Sequence, residues 1–205
     1  MAGSKGMYLA YFFQALIALN GVIAYLEGQY QAMFTAILMF AATFVPYVVA
    51  DRLNVRFPWF VYFLIALSLT IHISGYVEGW YVTGYPYYDK AAHLISASSI
   101  ALLGFLGAIF LDRYWRMNLT PLFIVLFTVT FGMALGGIWE IYEFTVDQIF
   151  GGSLAGPMQA GLADTMWDMI ADLVGSGGVA LLGIIYFRNH RVEEIEDSMD
   201  GHKEA

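Results

Sequence analysis

Residues 121–149 read PLFIVLFTVTFGMALGGIWEIYEFTVDQI, a run of 29 residues bounded by Pro121 on one side and the Gly-rich stretch Gly151–Pro157 on the other. A hydrocarbon core about 30 Å thick is crossed by about 20 predominantly apolar residues in a helix that rises about 1.5 Å per residue. This run is long enough to cross, and its opening part, Pro121–Phe131, has no ionisable side chain. Its other end is different, because Glu140, Glu143 and Asp147 interrupt the apolar pattern.

Outward from this run, five more of similar character appear: Met7–Leu26, Tyr30–Ala50, Pro58–Val77, Asp89–Leu111 and Asp164–Phe187. Polar breaks separate them, among them Asp51–Pro58 and Asp112–Arg116. The 205 residues are 60% hydrophobic, 17% aromatic and 13% charged, which excludes an ordinary soluble domain. The expected fold is all-α: a polytopic membrane bundle of six transmembrane helices, forming one domain over residues 1–187. The first run follows a single lysine, exceeds the usual apolar core of a signal peptide and is not closed by a small-residue cleavage site, so it reads as a retained span.

Lys and Arg stay on the cytoplasmic side of short loops, and eight of the nine fall in the N-terminus, the second and fourth loops and the C-terminal tail. Only Lys90 falls on the opposite side. Both termini are therefore expected in the cytoplasm, in a multi-pass protein of the cell membrane. The third loop, Glu78–Tyr88, is expected outside, with its aromatics at the membrane boundary. The formal charge of −8 owes much to Glu193, Glu194, Glu196, Asp197, Asp200 and Glu204 in the tail 188–205, which reads as a solvated, disordered end. Nothing supports nucleic-acid binding. Cysteine is absent, which excludes iron–sulfur clusters and thiolate metal sites, and no haem is expected.

With this topology three sequence patches share one leaflet: Asp89-Lys90-Ala-Ala-His93, Trp139-Glu140-Ile-Tyr-Glu143 and Asp164-Thr-Met-Trp167-Asp168-Met-Ile-Ala-Asp172. Asp89 and His93 are four apart, Glu140, Glu143 and Asp147 are three and four apart, and Asp164, Asp168 and Asp172 are four apart, so each helix presents one polar stripe. Asp172 lies about 12 Å beyond the start of its run, beneath the boundary. A charged Asp near the bilayer centre costs roughly 2.5–3.5 kcal/mol on insertion scales, so a group of acids at depth needs compensation. Water, protonation, pairing with Lys90 or His93, or a bound cation would each provide it.

His93, Glu140, Glu143, Asp168 and Asp172 are the candidates for holding a metal or polar ligand. Asp89, Lys90, Asp147 and Asp164 read as supporting or capping groups, with Lys90 snorkelling and Asp147 and Glu78 solvated at the boundary. One imidazole with several carboxylates suits Mn, Fe or Zn, and an all-oxygen subset suits Mg or Ca. His72 is a secondary candidate; Trp139 and Trp167 read as packing or boundary residues. Small residues at helical spacing, Ala97, Ala101, Gly104 and Ala108, then Gly132 and Gly136, then Ala171, Gly175 and Gly178, predict close approach of the last three helices.

The motifs Asp89-Lys-x-x-His93, Glu140-x-x-Glu143 and Asp168-x-x-x-Asp172-x-x-Gly175, in this order, resemble the VanZ-like membrane family, which is associated with glycopeptide-antibiotic resistance. Asp164-Thr-x-Trp167-Asp168-Met169 together with Trp139-Glu140-x-x-Glu143 is closer to the uncharacterised YjdF-type inner-membrane proteins. The resemblance covers roughly residues 85–185 and implies a membrane protein of unassigned activity. The VanZ-like pattern usually has Gln at Glu143, Asn at Asp172 and an Arg before the last helix. Here no Arg occurs between Arg116 and Arg188, so this site is more acidic.

The leading expectation is an outward-facing acidic and histidine site for a cation or polar ligand. A metal-dependent enzyme acting on a lipid or cell-envelope substrate is the alternative, although His-Glu-x-x-His, Gly-x-Ser-x-Gly and an intramembrane Arg for phosphate are all absent. A cation or proton transporter is the third reading, weakened because the opposite helix halves carry no ionisable residue. The expected partners are membrane lipids and a lipid-like or envelope ligand.

Overall fold

The computed structural model describes residues 2–53, 57–84, 87–150 and 157–187. The acidic tail, the positions of Arg56, Arg188, Arg191 and Lys203, and most of the fifth loop lie outside the described residues. All regular structure in the described residues is α-helical: α1 (Ala2–Leu26), α2 (Tyr30–Ala42), α3 (Val45–Leu53), α4 (Trp59–Val77), α5 (Trp80–Thr83), α6 (Tyr87–Trp115), α7 (Pro121–Phe150) and α8 (Leu162–Phe187). Six segments are long and apolar enough to cross a membrane, α2 and α3 together making the second, Tyr30–Arg52.

That second segment is the first departure from the expected pattern, since the chain turns at Thr43 and Phe44 before resuming at Val45. Pro46 explains the break: it has no N–H to continue the ladder and fits best in the first turn of a new helix. The Thr43 hydroxyl donates to Phe40 O at 2.6 Å and accepts from Gln14 Nε2 at 3.1 Å, which fixes the turn against α1. The short α5 was also not expected. Gly79, at φ 71°, makes the left-handed turn between α4 and α5 that returns the chain over the bundle end.

Helix starts follow ordinary capping chemistry. Pro121 opens α7 and Thr120 accepts from Phe123 N at 3.2 Å, satisfying an amide that the helix leaves free. Asp89 and Asp164 do not mark helix starts: α6 begins at Tyr87 and α8 at Leu162, so both aspartates lie in the first turn.

The bundle has two halves. In one, α1, α2 and α4 pack around Ile17, Ala24, Ala36, Met39 and Ile73. Cross-helix hydrogen bonds add to this half, from Asn20 Nδ2 to Ser74 Oγ at 3.1 Å and from the Thr70 hydroxyl to Phe13 O at 3.1 Å. In the other half α6, α7 and α8 pack closely on one another, and α4 joins the halves through α6. Glycines make the close approach: a side chain at Gly104 would strike Phe131, at Gly132 Ser176, at Gly136 Asp172 and at Gly175 the Leu94 carbonyl. Gly178 is a correction to the expected strip, because it is exposed and has open space beside it. Phe105, Ala108, Ile109 and Ile124 form an apolar plug where α6 meets α7 at the opposite end from the acids.

Candidate metal centre

The antiparallel path brings the first turns of α6 and α8 and the last turns of α4 and α7 to one end of the bundle. Because the acids recur every three or four residues, each helix turns its own set inward. Asp89, His93, Glu140, Glu143, Asp164, Asp168 and Asp172 are all buried, Asp168 and Asp172 to 2% exposure. The three patches thus form one place, with α4 contributing His72.

Lys90 does not snorkel. Its Nζ donates to Asp164 Oδ1 at 2.6 Å, to Asp89 Oδ2 at 2.7 Å, and to Asp168 Oδ1 and Oδ2 at 2.7 and 2.8 Å. Three carboxylates around one ammonium provide charge-assisted bonds that an extended lysine would forfeit, so the side chain turns inward. Asp89 and Asp164 both serve this lysine, and Asp164 Oδ2 also accepts from Ala160 N, just before α8, at 3.0 Å.

His93 is the centre of the second half of the cluster. Its Nδ1 is 3.2 Å from Asp172 Oδ1. Its Nε2 faces three oxygens just beyond hydrogen-bonding reach: Glu140 Oε1 at 3.6 Å, Asp168 Oδ1 at 3.7 Å and Asp89 Oδ1 at 3.9 Å. Among the described residues neither His93 Nε2 nor Glu140 Oε1 has a hydrogen-bond partner, although both are fully buried atoms. Asp89, His93 and Asp168 offer ligand atoms all within 4.8 Å of one another. Asp89, expected only as support, therefore stands in the closest group, while Asp172 reaches His93 from the far side of the ring. Glu143 stands apart, its Oε1 accepting from Trp139 Nε1 at 2.9 Å.

Asp147 is not simply a solvated boundary acid. Its two oxygens accept from Met158 N at 2.9 Å and Gln159 N at 3.0 Å, which fixes the segment before α8. Gln159 then reaches back, donating from Nε2 to Glu140 Oε2 at 2.8 Å. This leaves Oε1 of the same carboxylate directed to His93. Glu78 is exposed as expected, and Trp167 is 60% exposed.

His72, a secondary candidate in the sequence, joins the cluster with partners that the sequence did not single out. His72 Nδ1 lies 2.6 Å from the Tyr81 hydroxyl and its Nε2 lies 3.1 Å from Ser96 Oγ. Burial and the neighbouring Glu143 push the Tyr81 phenol well above its ordinary range, so it keeps its proton. The chain Tyr81 O–H to His72 Nδ1, then His72 Nε2–H to Ser96, satisfies all three groups. His72 also packs against His93, ring centroids 5.5 Å apart, and against Trp139 at 4.7 Å. Only the i, i+4 relation of Ser68 to His72 signalled a polar face on α4. Gln159 and Tyr81 carried no periodic signal because they lie between spans.

Two cavities flank the cluster. One, about 290 Å³, opens at the bundle end beside Tyr81, Asp89, Glu143, Met158 and Asp164. The other, about 500 Å³, runs along the opposite side of His93.

Residues 8–189 match the family described as predicted membrane protein, DUF2238. The chain belongs to this family. No curated protein and no solved structure matches it. The family description agrees with the six spans and assigns no activity to the buried acids and histidines.

Proposed function

We propose that this DUF2238 protein binds a divalent metal ion between His93 Nε2, Asp89, Glu140 and Asp168, on the non-cytoplasmic side of the cell membrane. The observation that carries this reading is the buried pair His93 Nε2 and Glu140 Oε1, each without a partner among the described residues and 3.6 Å apart. Ligands of a tetrahedral ion with bonds of about 2.1 Å stand roughly 3.4 Å from one another. The 3.6–3.9 Å separations around His93 Nε2 are close to that and too long for direct hydrogen bonds.

A water molecule would also satisfy the geometry, but charge favours a cation. Lys90 brings a single positive charge to the three carboxylates Asp89, Asp164 and Asp168, and Glu140, Glu143 and Asp172 have no lysine or arginine against them among the described contacts. Asp172 on Nδ1 would orient the imidazole, and Gln159 would orient Glu140, as outer groups do at metal sites. One imidazole with carboxylates favours Mn, Fe or Zn over Mg or Ca. The excess of Lys and Arg in the opposite loops supports the outward orientation.

Metal analysis of protein purified without chelator tests the reading. One equivalent of metal is expected in the wild type and none in a Glu140→Gln/Asp168→Asn double variant. Folded wild-type protein that takes up none of the five metals on dialysis would refute it. A catalytic role for the ion is the second reading, favoured by the two cavities that reach the cluster.

A further inference from the structure

The 500 Å³ cavity is separate from the opening at the bundle end. It is lined by α2, α3, α4, α6, α7 and, through Asp172, α8, mainly through apolar side chains such as Met39, Ile65, Leu69, Ile100, Leu103 and Leu135. It exists because α2 packs on α1 and α4 rather than on α7, to which the Thr35–Tyr142 hydrogen bond of 2.7 Å ties it. The break between α2 and α3 adds Ala42 and Val45 to its wall. Leu38, Val45 and Ile138 at its margin are 44%, 57% and 58% exposed, and all lie within membrane-crossing segments. Its mouth therefore faces the bilayer.

The inner end of this cavity is polar. His72, His93, Ser96 and Asp172 line it, together with Ser68. Asp172 Oδ2 and Ser68 Oγ are buried with no hydrogen-bond partner among the described residues, in side chains 2% and 5% exposed. Asp172 Oδ2 lies directly against Gly136, which is also part of the cavity wall. Buried acceptors of this kind are costly unless a donor reaches them. A purely hydrocarbon occupant would leave them unmet, and the volume falls in the range of sites for small molecules. No lysine or arginine lines the cavity, which disfavours an anionic head.

We propose that this cavity binds a single-chain amphiphile from the bilayer, its chain between α2 and α7 and a hydroxyl head donating to Asp172 Oδ2. The inference goes beyond the metal reading and does not require the ion. A long-chain alcohol is the simplest compound of this class.

The test uses the full-length protein in lipid nanodiscs, a diazirine-bearing hexadecanol as probe, and peptide mapping of the photolabelled sites. Labelling of α2, α4 and α7 at the lining residues is expected to be saturable and to be lost on adding excess unlabelled hexadecanol, but not hexadecane. Leu135→Trp, which fills the cavity without touching the charged cluster, should lose the same labels. Labelling that hexadecanol fails to displace, or that hexadecane displaces equally, overturns the proposal on wild-type protein alone, whatever the variant does. Repeating the competition after chelation separates the two readings: labels that hexadecanol still displaces from metal-free protein keep the cavity proposal even if the metal reading fails. Full metal occupancy without displaceable label refutes the cavity proposal and leaves the metal reading standing.

Discussion

Gly136→Ala places one methyl group where α7 passes closest to α8. The new Cβ would overlap Asp172 Oδ2 and stand 2.7 Å from Cγ. Asp172 is 2% exposed and its other oxygen holds His93 Nδ1 at 3.2 Å, so turning the carboxyl away from the methyl group breaks that contact. Two effects oppose each other. Alanine is favoured over glycine in a helix interior by about 1 kcal/mol. Forcing a methyl group into packed space costs about 1–3 kcal/mol, and losing a hydrogen bond to a charged group about 1.5–3 kcal/mol. The steric and hydrogen-bond losses win, leaving a net destabilisation of about 1.5–5 kcal/mol.

Gly178→Ala is the matched control, because Gly178 has nothing within 4 Å of its notional Cβ. There only the helix preference operates, a gain of up to about 1 kcal/mol. For a chain of this size each kcal/mol moves Tm by about 2–4 °C. Tryptophan-fluorescence melting in nanodiscs should therefore show Tm lowered by about 3–20 °C for Gly136→Ala and raised slightly for Gly178→Ala. If the metal reading holds, the displaced Asp172 should also weaken metal binding by about 10–100-fold. A Gly136→Ala protein as stable as the Gly178→Ala control would refute the close approach of α7 to Asp172.

Lys90→Met leaves Asp89, Asp164 and Asp168 without their ammonium; denaturant unfolding should show a loss of about 3 kcal/mol, the low end for breaking a buried pair because the Lys90 side chain keeps 22% exposure. Unchanged stability would mean that the lysine points to water. The Tyr81 proton supplies a pH test. The unfolded chain loses that proton near about pH 10 while the folded protein, with its raised phenol, retains it, so this stability is present below that pH and declines as pH rises beyond it. Unfolding free energies of wild type and Tyr81→Phe should diverge on the acid side and converge above it, and parallel curves would count against the buried Tyr81–His72 pair. Orientation is open to cysteine labelling, since the chain has no cysteine of its own. Leu162→Cys should react with a membrane-impermeant maleimide in intact cells and Arg116→Cys only after permeabilisation; the reverse pattern rejects a non-cytoplasmic site.

Much of the architecture is legible in the linear chain because membrane crossing is a local property. Length, apolar content and polar breaks define Met7–Leu26 or Pro121–Ile149 without reference to any other segment. Helical spacing similarly aligns Asp164, Asp168 and Asp172 on one face before any partner is known. Packing between helices decides the rest. Lys90 reads as a boundary lysine until three carboxylates from two helices surround it, and Asp89 reads as a cap until its second oxygen faces His93. Gln159 lies in a segment without periodicity, and only the Asp147 contacts bring it to Glu140. Spacing along one helix specifies direction around its axis, but distances between side chains on different helices depend on how closely their backbones approach. Here Gly104, Gly132, Gly136 and Gly175 set that approach, and the looser packing of α2 against α7 leaves the cavity beside it.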